Sequence, residues 1–389
     1  MLSAWGCGEG VAATGRAELT ETQASAVLGG EDSPPGPEDA VVHIFADRQS
    51  LCTGTLIAPN VVLTARHCVA RTTSNQGDCQ PGGVKPRFGA TLAPNTIAVY
   101  KGNQSRIYGD LTSDVAVDAV LTDGSDEVCG HDVALLRLAR PLDDLPTLAL
   151  RLDGPPQVGE RATFVGFGVS SSDGEMPAVR QRRGGLTVES YDPLTAVTYG
   201  IGGPGIVSTD GGPCSSDSGG PLISERTGAV IGLLTAFSVT NSAGPSATPD
   251  CEKATAFYAA VVDHRSFIYS ALKEAGYAPR REGRPDPGVL GADCTTFEDC
   301  HSQTCVVSSG GGVCSQACNN GSCSDGFACR GASGGEYCLP IDRFGSGKDS
   351  GWCSVPQAHS TAPVRTPMWV FGALLLFGLC RRALHGRGR

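Results

Sequence analysis

Three short stretches carry residues suited to nucleophilic acyl transfer. Ser218 stands in "CSSDSGGPL", between an aspartate and two glycines. His67 stands in "LTARHCVA", at the end of an apolar run, and Asp132 opens "HDVALLRL". A serine hydroxyl is a weak nucleophile. To attack a carbonyl it needs a base that takes its proton, an acid that holds the base in one tautomer, and N–H donors aimed at the developing oxyanion. Serine, histidine and aspartate supply the nucleophile, the base and the acid, and a glycine-rich turn can supply the donors. The alternative hydrolase pattern G-x-S-x-G fails, because residue 216 is Ser and no helical pattern follows Ser218.

Those residues need a rigid scaffold, and its character is legible in the surrounding chain. The 389 residues are 18% charged, with 53 Gly and 25 Pro. Short apolar runs such as "GTLIAPNVVLTA", "VALLRLARPL", "RATFVGFGVS" and "GAVIGLLTAF" alternate with Gly, Pro and Asp turns, which predicts an all-β body. One helical pattern closes that body. "VVDHRSFIYSALKEAG" places Val262, Phe267, Ile268 and Leu272 on one face, with Gly276 as its stop. A net charge of −10 leaves no basic stripe for nucleic acid. The 17 cysteines predict disulfides formed in an oxidising compartment, hence an exported protein.

The three stretches resemble the histidine, aspartate and serine motifs of the trypsin/chymotrypsin family of serine endopeptidases, in the same order over about 250 residues. The resemblance implies two six-stranded antiparallel β-barrels with a C-terminal helix and a site in the cleft between the barrels. It makes His67 the general base, Asp132 its orienting partner and Ser218 the nucleophile, with the backbone N–H groups of Ser216 and Ser218 as the oxyanion hole. Family members are made as zymogens. Here "SAVLGGED" makes Val27 the new N-terminus and Asp217 its ionic partner. Residue 26 is Ala, so activation is not tryptic. The resemblance also pairs Cys52 with Cys68 and implies Cys214 with Cys251; Cys79 and Cys129 are the cysteines that remain in this domain and are expected to pair, tying the loop after His67 to the entrance of Asp132.

Ser216, a second departure from the family pattern beside Ala26, bears on activity, and the pocket residues bear on specificity. Ser216 stands where the family has Gly, and its Cβ disfavours the dihedrals that position needs. Gly212 occupies the position that carries Asp in trypsin, so no carboxylate awaits a basic P1 side chain. "LLTAF" puts Thr235 at the substrate-strand position and Phe237 on the pocket wall. The expectation is a small or medium apolar P1 residue. The rival reading, from a different class, is a catalytically weak or silent protease-like adhesin or binding protein of the cell envelope, and Ser216 is the feature in its favour.

The chain divides into a leader or propeptide (1–26), the peptidase domain (27–277), a Pro/Arg/Gly linker (278–292), a cysteine-rich module (293–340), a second linker holding Cys353 (341–366) and a short hydrophobic tail (367–389). The module has eight cysteines in a near-twofold repeat of a four-cysteine unit. Eight cysteines permit 105 pairings, and none is assigned. A zinc site there lacks C-x2-C pairs and has only His301 nearby. No metal or organic cofactor is implied, and the module's own ligand is not readable. Cys7 is a candidate lipidation site, although Trp5 fits that pattern poorly. The run Met368–Cys380 rises only about 20 Å as a helix, against a hydrocarbon core of about 30 Å. With "GWCS" before it and four arginines after it, it resembles the sorting tail of myxobacterial surface proteins. That implies a secreted or envelope protein, anchored or sorted through its tail. If the source is bacterial, as the tail resemblance implies, the Asn103-Gln-Ser105 sequon carries little weight.

Overall fold

The computed structural model describes residues 27, 29–47, 50–72, 79, 85–105, 113–169, 176–191, 205–238, 251, 254–308, 311–318, 322–332, 334–344 and 353–354. The leader, Cys7 and the apolar tail with Cys380 lie outside the described residues. Among those described, no helix is long and apolar enough to cross a membrane.

Six strands form a closed antiparallel barrel: β1 (Val41–Ala46), β2 (Ser50–Ala58), β3 (Val61–Thr64), β4 (Ile97–Tyr100), β5 (Val115–Leu121) and β6 (Ala134–Leu138). Their order around the barrel is β1-β2-β3-β6-β5-β4, and β1 closes on β4 through His43↔Tyr100 to Ala46↔Ile97. Closure leaves no free edge, and β-branched and leucine side chains of β1, β3 and β6 fill the interior.

The second half uses β7 (Arg161–Gly166), β8 (Gln181–Thr187), β9 (Ile206–Ser208), β10 (Pro221–Ser224), β11 (Val230–Ser238) and β12 (Thr255–Ala260). Their order is β8-β7-β10-β11-β12-β9. This is the permutation of the first barrel, interrupted at one place: the second and third strands, β8 and β9, are not paired. A two-residue strand extends each side of that seam, Glu31–Asp32 on β8 and Ser190–Tyr191 on β9. The architecture is therefore chymotrypsin-like, with one closed barrel and one open partner.

Helix α1 (Arg265–Glu274) ends the domain and buries Ile268, Ala271 and Leu272 in the core shared with the first barrel. Its end is a Schellman motif: Tyr277 N–H donates to Leu272 O (2.8 Å) and Gly276 N–H to Lys273 O (3.1 Å). Gly276 sits at φ 85°, which explains the glycine at this stop. The helix begins at Arg265, so Val262 lies before it and packs against the core of the second half instead.

The segment that reads as a linker is bonded to the peptidase domain. Leu150 N–H donates to Arg280 O (2.9 Å), and Glu282 N–H donates to Leu150 O (2.9 Å). Beyond it, the module repeats one cross-linking scheme. Cys294–Cys305 with Cys300–Cys314, then Cys318–Cys329 with Cys323–Cys338, join first to third and second to fourth in each unit. Cys353–Ser354 adds an edge strand to the first unit through Val307 and Val306.

Candidate active site

Strand pairing brings His67 and Asp132 to one rim. β3 and β6 are antiparallel, with Thr64 opposite Ala134. Three residues past Thr64 the chain is in the 3-10 turn Arg66–Cys68, and Asp132 lies two residues before Ala134. The Asp132 carboxylate grips the histidine twice. Its Oδ1 accepts from the His67 backbone N–H (2.8 Å), and its Oδ2 lies 2.7 Å from Nδ1. The buried carboxylate thus selects the tautomer with hydrogen on Nδ1 and leaves Nε2 to accept a proton. Burial alone lowers the pKa of the His67 imidazole, but the Asp132 charge and hydrogen bond outweigh it, and the pKa stands above the ordinary 6.5.

Ser218 comes from the second half, in the loop before β10. That loop is stitched to β2 through Thr53. Thr53 N–H donates to Ser218 O (2.9 Å), and Thr53 Oγ1 donates to Ser216 O (3.3 Å). The same Oγ1 accepts from Phe167 N–H (3.2 Å). Thr64 Oγ1 in turn donates to Thr53 O (2.8 Å). Two hydrogen bonds therefore connect the Ser218 backbone to the residue three before His67. Gly219 fits here because a Cβ would overlap Thr53 O and Thr64 Oγ1. The Cys52–Cys68 bridge closes the same corner, with Cys68 Sγ 3.7 Å from Ser218 O. Cys79–Cys129 ties the loop after His67 to the segment before Asp132, and Cys214–Cys251 braces the Ser218 loop.

Asp217 is fully buried. Its carboxyl accepts from Gly168 N–H (2.8 Å) and Cys214 N–H (2.9 Å), in a cradle where a Cβ on Gly166 or Gly168 would overlap it. Burial pushes its pKa up to about 8, against the lowering pull of those two N–H groups. Val27 is also fully buried, packed with Phe164, Leu186 and Tyr258 in the core of the second half. Ser216 has φ 74°, so the backbone does adopt there the conformation that suits glycine.

Gly212 is buried at φ 108°, and a Cβ on it would stand 2.8 Å from Arg183 Cδ and 3.2 Å from Val27 Cγ1. Thr235 lies at the β11 bulge, with Oγ1 donating to Phe257 O (3.2 Å). Phe237 packs against Cys214, Cys251 and Ala254 beside the Ser218 loop. Sequence reasoning missed Arg66, Thr53 and Arg183. Thr53 lies 163 residues from Ser216 and Arg183 lies 27 residues from Asp210, and no local pattern marks either. Arg66 is adjacent to His67 and was visible in "TARHC" as the one charged residue in an otherwise small or apolar turn.

Fold and site together define a two-barrel serine-type hydrolase. A trypsin family model matches residues 27–251. The chain is 28% identical over 205 residues to the trypsin of Saccharopolyspora erythraea, covering 51% of this chain and 81% of that protein. It is 30% identical over 209 residues to glucanase inhibitor protein 4 of Phytophthora infestans, covering 51% and 73%. It is 23% identical over 217 residues to trypsin iota of Drosophila melanogaster, covering 54% and 77%. The chain belongs to the trypsin family, and its family domain is that of a serine-type endopeptidase.

Proposed function

We propose that the protein cleaves peptide bonds through His67, Asp132 and Ser218 by an acyl-enzyme route. Neutral His67 takes the Ser218 proton as the hydroxyl attacks the carbonyl carbon. The imidazolium, stabilised by Asp132, then protonates the leaving amine. Water, deprotonated by His67, releases the acid and restores the serine. The N–H groups of Ser216 and Ser218 receive the oxyanion. The observation that carries this reading is the twofold grip of Asp132 on His67, since only a base fixed in that tautomer serves the serine. Scission before Val27 frees an α-amino group that pairs with Asp217, giving its buried carboxyl a counter-charge. The protein acts outside the cytoplasm, secreted or held at the envelope by its tail.

The specificity pocket takes a small or medium apolar P1 side chain. Gly212 offers no carboxylate, and the Arg183 guanidinium beside it repels a P1 Arg or Lys. A peptide-library profile led by Ala or Val supports this, and one led by Arg, Lys, Asp or Glu refutes it.

A second reading has one specific support: a relative at 30% identity is named an inhibitor, not a protease. On that reading the domain binds a partner and does no chemistry. Labelling the processed protein with a fluorophosphonate, followed by peptide mapping, decides. Modification confined to Ser218 and absent in Ser218→Ala establishes the nucleophile, and processed protein that takes no label establishes the binding module.

A further inference from the structure

Arg66 is buried beside the reaction centre, at 6% exposure. Burying a cation costs several kcal/mol of hydration unless its partners replace the water. A neutral side chain of like size would fill the space without that cost, so what Arg66 touches is informative. Its guanidinium lies over the Phe88 ring, 4.2 Å from the centroid. Nη1 donates to Ser125 O and stands 3.5 Å from Asp123 Oδ1. Asp123 Oδ2 in turn meets His131 Nδ1 at 2.5 Å, and Asp123 Oδ1 accepts from Ser125 N–H at 3.1 Å. His131 is bonded through one peptide to Asp132, and Arg66 through one peptide to His67.

These links form a closed circuit: Arg66, Asp123, His131, Asp132, His67 and back to Arg66. The segment 123–132 carries Asp132 but contributes no strand of its own before β6. Its backbone is held at Phe88 N–H to Asp126 O (2.7 Å) and Val128 N–H to Pro86 O (3.0 Å). Those contacts fall four to six residues before Asp132, and the Cys79–Cys129 bridge holds the segment three residues before it. The Arg66 circuit fixes the last residues, up to His131, against the residue that carries the imidazole.

We propose that Arg66 is a positioning residue for the hydrolytic step. It holds the 123–132 segment so that both oxygens of Asp132 stay on His67. It touches no substrate and acts through Asp132. The inference rests on the triad reading above for its effect on rate, but not for its effect on the His67–Asp132 hydrogen bond. Misplacing a catalytic group by about 1 Å can cost about 100-fold in rate.

The test compares Arg66→Gln, Arg66→Lys and Asp123→Asn in the processed full-length protein. Asp123→Asn breaks the circuit from the other side if Arg66→Gln does not fold. Arg87→Ala, in an exposed pair with Asp126 on the same segment, is the control. Two quantities are read: kcat per titrated active site on a peptide substrate, and the downfield proton resonance of the His67 Nδ1–H···Asp132 hydrogen bond. Arg66→Gln and Asp123→Asn should lose about 100-fold in kcat with KM within about two-fold, and lose the downfield signal. Arg66→Lys should recover the signal and most of the rate, and Arg87→Ala should match the parent. A normal kcat per active site with only fewer active sites would make Arg66 a folding residue and overturn the proposal, as would a retained signal in both circuit-breaking variants. If the parent itself neither hydrolyses nor labels, the triad reading fails, while the resonance still decides what Arg66 does.

Discussion

In the proposed mechanism, His67 sets the acid side of activity. Its pKa stands above 6.5 because the Asp132 charge and hydrogen bond overcome the cost of burial, and only the neutral ring accepts the Ser218 proton. Activity should therefore rise with pH through a midpoint above 6.5, measured as kcat/KM against pH, and a profile flat to pH 5 contradicts the role. The raised pKa also has a stability sign. The His67–Asp132 contact contributes fully below the unfolded value of 6.5 and its contribution fades as pH climbs through the higher folded value. Ser216 makes a second residue-scale prediction. At φ 74° its Cβ costs about 1 kcal/mol, so Ser216→Gly should raise thermal stability and the acylation rate, while Ser216→Ala should do neither. The three residues proposed to react lie in local motifs, so the sequence alone nominates them, and the conflict at Ser216 follows from its having a side chain at all.

At the scale of elements, the site is a junction between two sheets, and Thr53 on β2 is its pin. It donates from N–H and Oγ1 to the Ser218 and Ser216 carbonyls and accepts from Phe167 N–H and Thr64 Oγ1. Thr53→Val keeps the shape and removes the hydroxyl, leaving the buried Phe167 N–H and Ser216 O unpaired. We expect a loss of about 1–3 kcal/mol by denaturant titration and a fall in kcat larger than any change in KM. Nothing in "LCTGTLIA" predicts this, because the contact spans 163 residues between Thr53 and Ser216. The strands themselves were legible from their alternation with turns. Which strands became neighbours was not, and the open seam between β8 and β9 has no signature in composition.

At the scale of the molecule, a buried cation joins the peptidase domain to the segment that leads into the module. Arg151 donates to Glu160 Oε1 (2.7 Å) and to both oxygens of Glu282 (2.5 and 2.7 Å), and Ser224 Oγ completes Glu160 (2.6 Å). Burial raises the Glu160 pKa, but hydrogen bonds from Arg151, Ser224 and Gln157 N–H bring it down to about 2. This contribution is full above the unfolded value of 4.5 and is lost as pH falls toward about 2. Arg151→Ala leaves Glu160 buried without its cation and should cost about 3–5 kcal/mol at neutral pH, by calorimetry, with a smaller penalty in acid. Composition could not reveal this, since "APRREGRPDPGVLGA" reads as a solvated spacer and its partners Leu150 and Arg151 lie more than a hundred residues earlier. If scission before Val27 activates the chain as proposed, the seam between β8 and β9 shapes that step. Glu31–Asp32 is already laid against β8, at Glu31↔Arg182 and Asp32↔Gln181. A terminus released at Val27 is leashed four residues from that anchor, a reach of at most about 14 Å. It has nowhere distant to wander, so its search for Asp217 has the high effective concentration of a short tether, and a free peptide with the same first residues, added from solution, should be a poor substitute.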